Sequence, residues 1–288
     1  MINNIITTKD YIINVTSHYN NFMISNIIHG CIDLSENADN FFKNLTKLIK
    51  DKPLYKVYGK IPIKLIVSYK TECIFPLKME PVNSRNNSKY SLYAWDREET
   101  EGLVQTMFGS NRKDGRKHGG IDLYTGETTS GEVIAIADGK VLDIRYFYNA
   151  TYQISIYHEI NGKPYIVRYG ELLQKSITHK IGDTVTQGEE LGETGVLIKS
   201  DGTKMTILNN KPMRMLHFEI FDMNVNNIDV IELKDLNKYL LSTPRGYKPK
   251  NNNTETFDLY YRRRKDIINP LEILKQGYEA SKKSGYIK

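Results

Sequence analysis

Cysteine is scarce in this chain of 288 residues: Cys31 and Cys73 stand in separate segments without metal-ligand spacing. Disulfide miniproteins are therefore excluded, neither a disulfide framework nor a cysteine metal site is supported, and two buried thiols are expected. No run approaches about eighteen uninterrupted apolar residues, which removes a membrane-spanning helix. A basic start is missing from Met1 to Thr16, and Asn3, Asn4, Lys9 and Asp10 break the apolar residues there. Export by a cleaved leader is not expected, so the chain is made in the cytoplasm and any outside action needs a specialised route. Strong charge bias is absent too. Forty basic against thirty-four acidic side chains leave +6, which favours anionic surroundings without choosing among them. What is present, 40% hydrophobic residues, is enough to bury one large core or two small ones.

The texture of the chain divides it into 1–75, 76–107, 108–224 and 225–288. The first part is mixed, with helical spacing of Phe41, Phe42, Leu45, Leu48 and Ile49 inside Glu36 to Lys50, then half-buried strands from Leu54 to Tyr69. Polar residues crowd between Pro76 and Lys89, among them Asn83, Ser84 and Asn86, and predict a connector. From about Ser91 short β-rich runs follow one another: Val133–Ala137, Lys140–Tyr146, Gln153–His158, Tyr165–Tyr169, Glu190–Glu193 and Leu216–Phe221. With little helical pattern between them they predict an antiparallel β domain, Asp138-Gly139 reading as a tight hairpin turn. Helical spacing returns at Ile228–Leu241 and Asn269–Ser284, the second with Asn269 as a cap and Pro270 in its first turn. The fold class is thus α+β: an antiparallel β core, a mixed amino-terminal segment and a helical carboxy-terminal tail. The basic run Arg262 to Lys265 reads as a solvated face, with wall or carrier contact as the sharper alternative, and it lacks the aromatic interleaving of a nucleic-acid site.

Two of the six histidines sit among polar residues that packing does not explain: His118 in Arg116-Lys117-His118-Gly119-Gly120-Ile121-Asp122, and His217 in Met215-Leu216-His217-Phe218-Glu219. Residues four apart in an extended chain face one way, so His118 and Asp122 can converge, and a strand bearing His217 can add a third ligand. Two imidazoles and a carboxylate suit a catalytic zinc, which keeps a position open for water. Spacing alone leaves satisfied structural histidines as the competing reading. His158, His179, His18 and His29 carry no assigned role.

The stretch from about Phe108 to Phe221 resembles the lysostaphin-like (LytM-type) zinc peptidase domain. The resemblance rests on Phe108-Gly109, Arg116 to Leu123, Val133 to Val141, the glycine-punctuated hairpin Ile181 to Gly192 and the closing strand Leu216-His217-Phe218-Glu219. It implies a LytM-type antiparallel β core, a Zn2+ held by His118, Asp122 and His217, and hydrolysis of peptide cross-links or stem peptides of bacterial peptidoglycan. Two departures stand out. Glu171 and Met215 occupy the positions where the family has its two non-ligand histidines.

A variant catalytic site follows from retention of all three apparent ligands. A carboxylate can act as general base, so Glu171 is the candidate catalytic residue, with a fourth metal ligand or an inert glutamate as alternatives. Met215 cannot donate a strong hydrogen bond, so oxyanion stabilisation falls to the zinc, a backbone amide or another donor such as Tyr169 or Arg168, and Tyr169, Arg168 and Met215 are the candidate transition-state or substrate contacts. Glu219 shares a strand face with His217 and is a candidate hydrogen-bond acceptor behind that ring. The loops Gly102–Phe108 and Val196–Arg214 flank the ligand strands as candidate groove borders. The expected partners are the peptidoglycan peptide, an immunity or inhibitor protein and a secretion-machine carrier, with no nucleic acid. Action in the periplasm or cell wall, as an antibacterial effector or a phage-associated lysin, fits the missing leader. The other class of function is a catalytically inactive LytM-type module that binds cell wall or regulates an amidase.

Overall fold

The computed structural model describes residues 2–7, 11–17, 64–69, 72–97, 104–113, 115–208, 210–224, 257–258 and 260–287. The chain separates into two units, Met1–Lys70 and Thr71–Lys288. In the first, β1 (Ile2–Thr7), β2 (Tyr11–Ser17) and β3 (Lys64–Tyr69) form an antiparallel sheet in that order. The helices expected at Glu36–Lys50 and Ile228–Leu241 lie outside the described residues, as do His18, His29 and Cys31.

The second unit is built on antiparallel strands: β4 (Ile121–Gly126), β5 (Glu132–Ile134), β6 (Gly139–Tyr146), β7 (Tyr152–Ile160), β8 (Lys163–Leu172), β9 (Thr184–Val185), β10 (Glu190–Glu193), β11 (Gly195–Val196) and β12 (Arg214–Asp222). After them come β13 (Phe257–Asp258), β14 (Arg263–Arg264), β15 (Ile267–Ile268) and the α-helix α1 (Leu271–Ser284). β12 is the organising strand. It pairs with β8 through Phe221↔Ile166 and with β15 through Phe221↔Ile267, so these neighbours take opposite edges, and β4 precedes β15 along its edge. Alternation along β12 then sends Leu216, Phe218 and Ile220 into the main core and leaves Met215, His217 and Glu219 on the other face.

That core also receives Val167, Ile154 and Ile156 from the sheet, Leu271 and Leu274 from α1, and Phe75, Leu77 and Trp95 from the stretch before β4. Apolar side chains at these positions bind the supposed connector to the sheet. The rings of Phe75, Trp95 and Tyr278 meet with centroids 5.0 to 5.4 Å apart. Gly277 lets α1 approach this stretch, since a Cβ there would lie 2.6 Å from the carbonyl oxygen of Ile74. Pro270 takes the N-cap position expected of Asn269, which lies one residue earlier with its Oδ1 accepting from the Leu271 amide at 3.1 Å.

Two expected turns differ. β5 and β6 do not pair with each other, and Gly139 is needed for close approach, because a Cβ would meet the Tyr157 carbonyl at 2.4 Å. Ile181 to Gly192 is not a hairpin either: β9 pairs with β6, and β10 with β5. Cys73 is buried, and burial pushes its thiol up to about 12.

Candidate metal centre

The face of the sheet opposite the core lines a groove of about 1260 Å³. His118, Asp122, Glu171, Met215 and His217 are on its floor, and Tyr146, Tyr148, Met205 and Ile207 are among its borders. Asp122 is set by backbone pairing to both sides. It stands opposite His217 in the β4–β12 ladder, while its amide donates to the Thr106 carbonyl and its carbonyl accepts from Asn83 Nδ2 at 2.9 Å. Gly120 permits the crossing, since a Cβ there would meet the Phe218 carbonyl at 2.5 Å and His217 Cε1 at 3.0 Å.

His118, Asp122 and His217 bring one ligand atom each to within 4.8 Å of the others. His118 Nε2 lies 3.2 Å from Asp122 Oδ1 and 3.2 Å from His217 Nδ1, and His217 Nδ1 lies 2.8 Å from Asp122 Oδ1. The opposite ring nitrogens are held by acceptors. His118 Nδ1 donates to the Met107 carbonyl at 2.9 Å, and His217 Nε2 donates to Glu219 Oε1 at 2.7 Å. These bonds turn His118 Nε2 and His217 Nδ1 toward Asp122, the arrangement a cation requires of imidazole ligands.

The charges agree with that geometry. Burial raises Asp122, but His118 and His217 outweigh it and hold the carboxyl well below its usual range. Burial lowers His217, yet its bonds to Asp122 and Glu219 carry it up to about 9. Two imidazole nitrogens and a carboxylate oxygen thus converge at one buried point, and two imidazoles with one carboxylate suit zinc.

Glu171 reaches the same place through a distortion. Across β7 and β8, Tyr152 pairs with Leu172 and Ile154 with Tyr169, so Gly170 and Glu171 oppose Gln153 alone. This bulge puts Glu171 in the left-handed region, φ +64°, and turns its side chain toward the groove. Glu171 Oε2 is buried without a hydrogen-bond partner among the described residues. Burial, then the Asp122 charge, push this carboxyl up to about 8 against the opposing pull of His217 and Arg112.

Residues 116–229 match the model of Peptidase family M23. This segment is similar to M23 peptidase domains. Its antiparallel sheet agrees with the β core that the resemblance implies. No curated protein sequence matches the chain. Among solved structures, the solution structure of lysostaphin is 25% identical over 40% of this chain and 42% of its own, with a TM-score of 0.28. LytU is 24% identical over 44% of this chain and 79% of its own, with a TM-score of 0.30. A zinc-containing peptidase from Vibrio cholerae is 18% identical over 74% of this chain and 68% of its own, with a TM-score of 0.29. The chain therefore spans less than half the length of the lysostaphin structure.

Within the M23 domain the remaining site candidates separate. Tyr169 is a core residue, because its hydroxyl accepts from the Ile136 amide and meets His158 Nε2 at 3.0 Å on the far face of the sheet. A substrate contact from Tyr169 is thereby excluded. Arg168 lines the groove, but its Nη1 donates to Glu219 Oε2 at 2.7 Å, so it serves that carboxylate. Met215 lies on the groove floor and packs with Tyr124, Leu197, Leu208 and Met213. Glu219 sits behind His217 as the shared strand face requires.

Four residues of the site were not legible in the sequence. Asn83, in the polar stretch, braces β4 just after the Asp122 side chain: its Nδ2 donates to the Asp122 carbonyl and its Oδ1 accepts from the Tyr124 amide at 3.2 Å. Tyr124 lines the groove, and its phenol is pushed well up by burial and by the charges of Asp122 and Glu171. Arg112 places Nη2 3.6 Å from Asp122 Oδ2. Arg263, from the basic run expected to be solvated, donates from Nε to Glu219 Oε1 at 2.7 Å. The neighbouring Arg264 is buried and forks onto Asp266 with two bonds of 2.6 Å, so carboxylates rather than solvent hold half of that run.

Proposed function

We propose that the chain is a zinc-dependent endopeptidase acting on the peptides of bacterial peptidoglycan. The observation carrying this reading is the convergence of His118 Nε2, Asp122 Oδ1 and His217 Nδ1, with the far nitrogen of each ring already engaged. When bound, zinc supplies Lewis acidity that activates water and polarises a carbonyl oxygen. Glu171 is the general base. Its place on the groove and its buried, unpartnered Oε2 fit a group that, once ionised, takes a proton from water and returns it to the leaving amine. Tyr124, kept neutral, and Arg112 are the donors beside Asp122 for the developing oxyanion. They take the part first considered for Tyr169 and Arg168, and Met215 contributes only an apolar floor.

The test is purified protein on isolated peptidoglycan, with and without a chelator, followed by mass analysis of released peptides. New amino groups that vanish on chelation and in Glu171→Ala, but persist in Lys175→Ala at an exposed turn, support the peptidase. Full zinc occupancy with no peptide released supports instead the non-catalytic module that binds wall or an amidase.

A further inference from the structure

We propose that Arg263 is a positioning residue of the metal centre, acting through Glu219 on the orientation of His217. The inference rests on reading His118, Asp122 and His217 as metal ligands, and it adds a residue from outside the M23 segment, which ends at 229.

Glu219 has no solvent exposure, yet three donors converge on it. His217 Nε2 and Arg263 Nε share Oε1, each at 2.7 Å, and Arg168 Nη1 takes Oε2 at 2.7 Å. A carboxylate without access to water is stable as an anion only when it is paired and hydrogen-bonded. Arg168 holds one oxygen; Arg263 fixes the oxygen that His217 uses. Without Arg263 the carboxylate can turn about its link to Arg168, and the imidazole turns with it.

The path of Arg263 is built into the fold. A Cβ on Gly119, beside the ligand His118, would lie 3.2 Å from both Cγ and Nε of Arg263. A larger residue at 119 would crowd the stem. The segment carrying Arg263 is tethered on three sides. The Lys117 amide donates to the Tyr260 carbonyl at 2.8 Å, Tyr261 stacks on Phe108 with centroids 4.8 Å apart, and β15 pairs with the end of β12. Arg263 itself keeps 12% side-chain exposure, so it reaches inward from a docked segment.

The sign of one measurement separates positioning from simple charge. A guanidinium near a bound cation repels it, so removing mere charge tightens metal binding; removing a positioning group loosens it. The experiment uses the full chain as wild type, Arg263→Ala, Arg263→Lys and Lys265→Ala, each also in a Glu219→Gln background. Zinc dissociation constants come from competition with a chromophoric chelator, and the ligand field comes from Co2+ absorption. Expected is roughly 10- to 100-fold weaker zinc binding in Arg263→Ala with an altered Co2+ band, partial recovery in Arg263→Lys, and no change in Lys265→Ala. In the Glu219→Gln background the Arg263→Ala loss should disappear.

Unchanged or tighter zinc binding by folded Arg263→Ala overturns the inference, as does an equal loss in the Glu219→Gln background. If Arg263→Ala does not fold, Arg263→Lys decides: weaker binding with a shifted Co2+ band supports positioning, and wild-type values overturn it. A wild-type chain that binds no zinc fails at the metal reading itself, and an active wild type with an indifferent Arg263 fails only here.

Discussion

Tyr169 and Glu171 stand two residues apart on β8 and face opposite sides of the sheet. Regular alternation would send both into the core, but the bulge opposite Gln153 reverses the second. The reversal has an energetic cost. A non-glycine residue at φ +64° costs about 1 kcal/mol or more, and a buried carboxylate oxygen without a partner adds roughly 1–3 kcal/mol.

Glu171→Gly should therefore stabilise the metal-free protein while abolishing cleavage. Thermal unfolding in chelator is expected to give a melting temperature several degrees above wild type. A variant that melts lower would show that Glu171 is held by partners rather than strained.

Tyr124→Phe removes one donor beside Asp122 and little volume. Loss of an oxyanion donor lowers kcat by about 100- to 1000-fold in sites of this kind, with KM little changed. Steady-state kinetics on a defined peptide substrate measures the split. An unaltered kcat would assign the oxyanion to Arg112 or the backbone.

Zinc should stabilise the wild-type chain by mass action, about 2.7 kcal/mol when free zinc is 100 times its dissociation constant. Asp122→Ala deletes one of the three proposed ligands and should erase the zinc-dependent rise in melting temperature. A rise of the same size in the variant would place the bound ion elsewhere.

His158 predicts an acid-side loss of stability. Burial drives this imidazole down to about 4, against the favourable bonds its ring makes to the Asp138 carbonyl. The folded state holds it neutral and the unfolded state protonates near 6.5, so stability falls as pH drops from about 6.5 to about 4 and levels off below. The full effect is roughly 3 kcal/mol. Urea unfolding across that range should show a shallower pH dependence in His158→Gln, and equal slopes in the two proteins would contradict it.

Much of this fold was legible because strand alternation is local. The run Leu216-His217-Phe218-Glu219 already says that His217 and Glu219 share a face, and the groove confirms the pairing. The His-x-x-x-Asp spacing likewise joined residues that do meet. The bulge at Glu171 could not be read from β8, since it depends on how many residues β7 sets against it. Nor did polarity mark Asn83 as a brace, because its value lies in backbone groups 39 and 41 positions away. Arg263 was hidden in the same manner: four adjacent cations look solvated until a carboxylate 44 residues earlier is folded against one of them.

The aromatic trio of Phe75, Trp95 and Tyr278 has a practical consequence for anyone cutting this protein down. A fragment trimmed to 116–229 would expose the apolar underside of the sheet on which Leu77 and Leu274 are packed. It would also discard Asn83 and Arg263. Expression boundaries drawn from family similarity alone would thus yield an aggregation-prone sheet, and an inactive preparation of that kind would say nothing about the full chain.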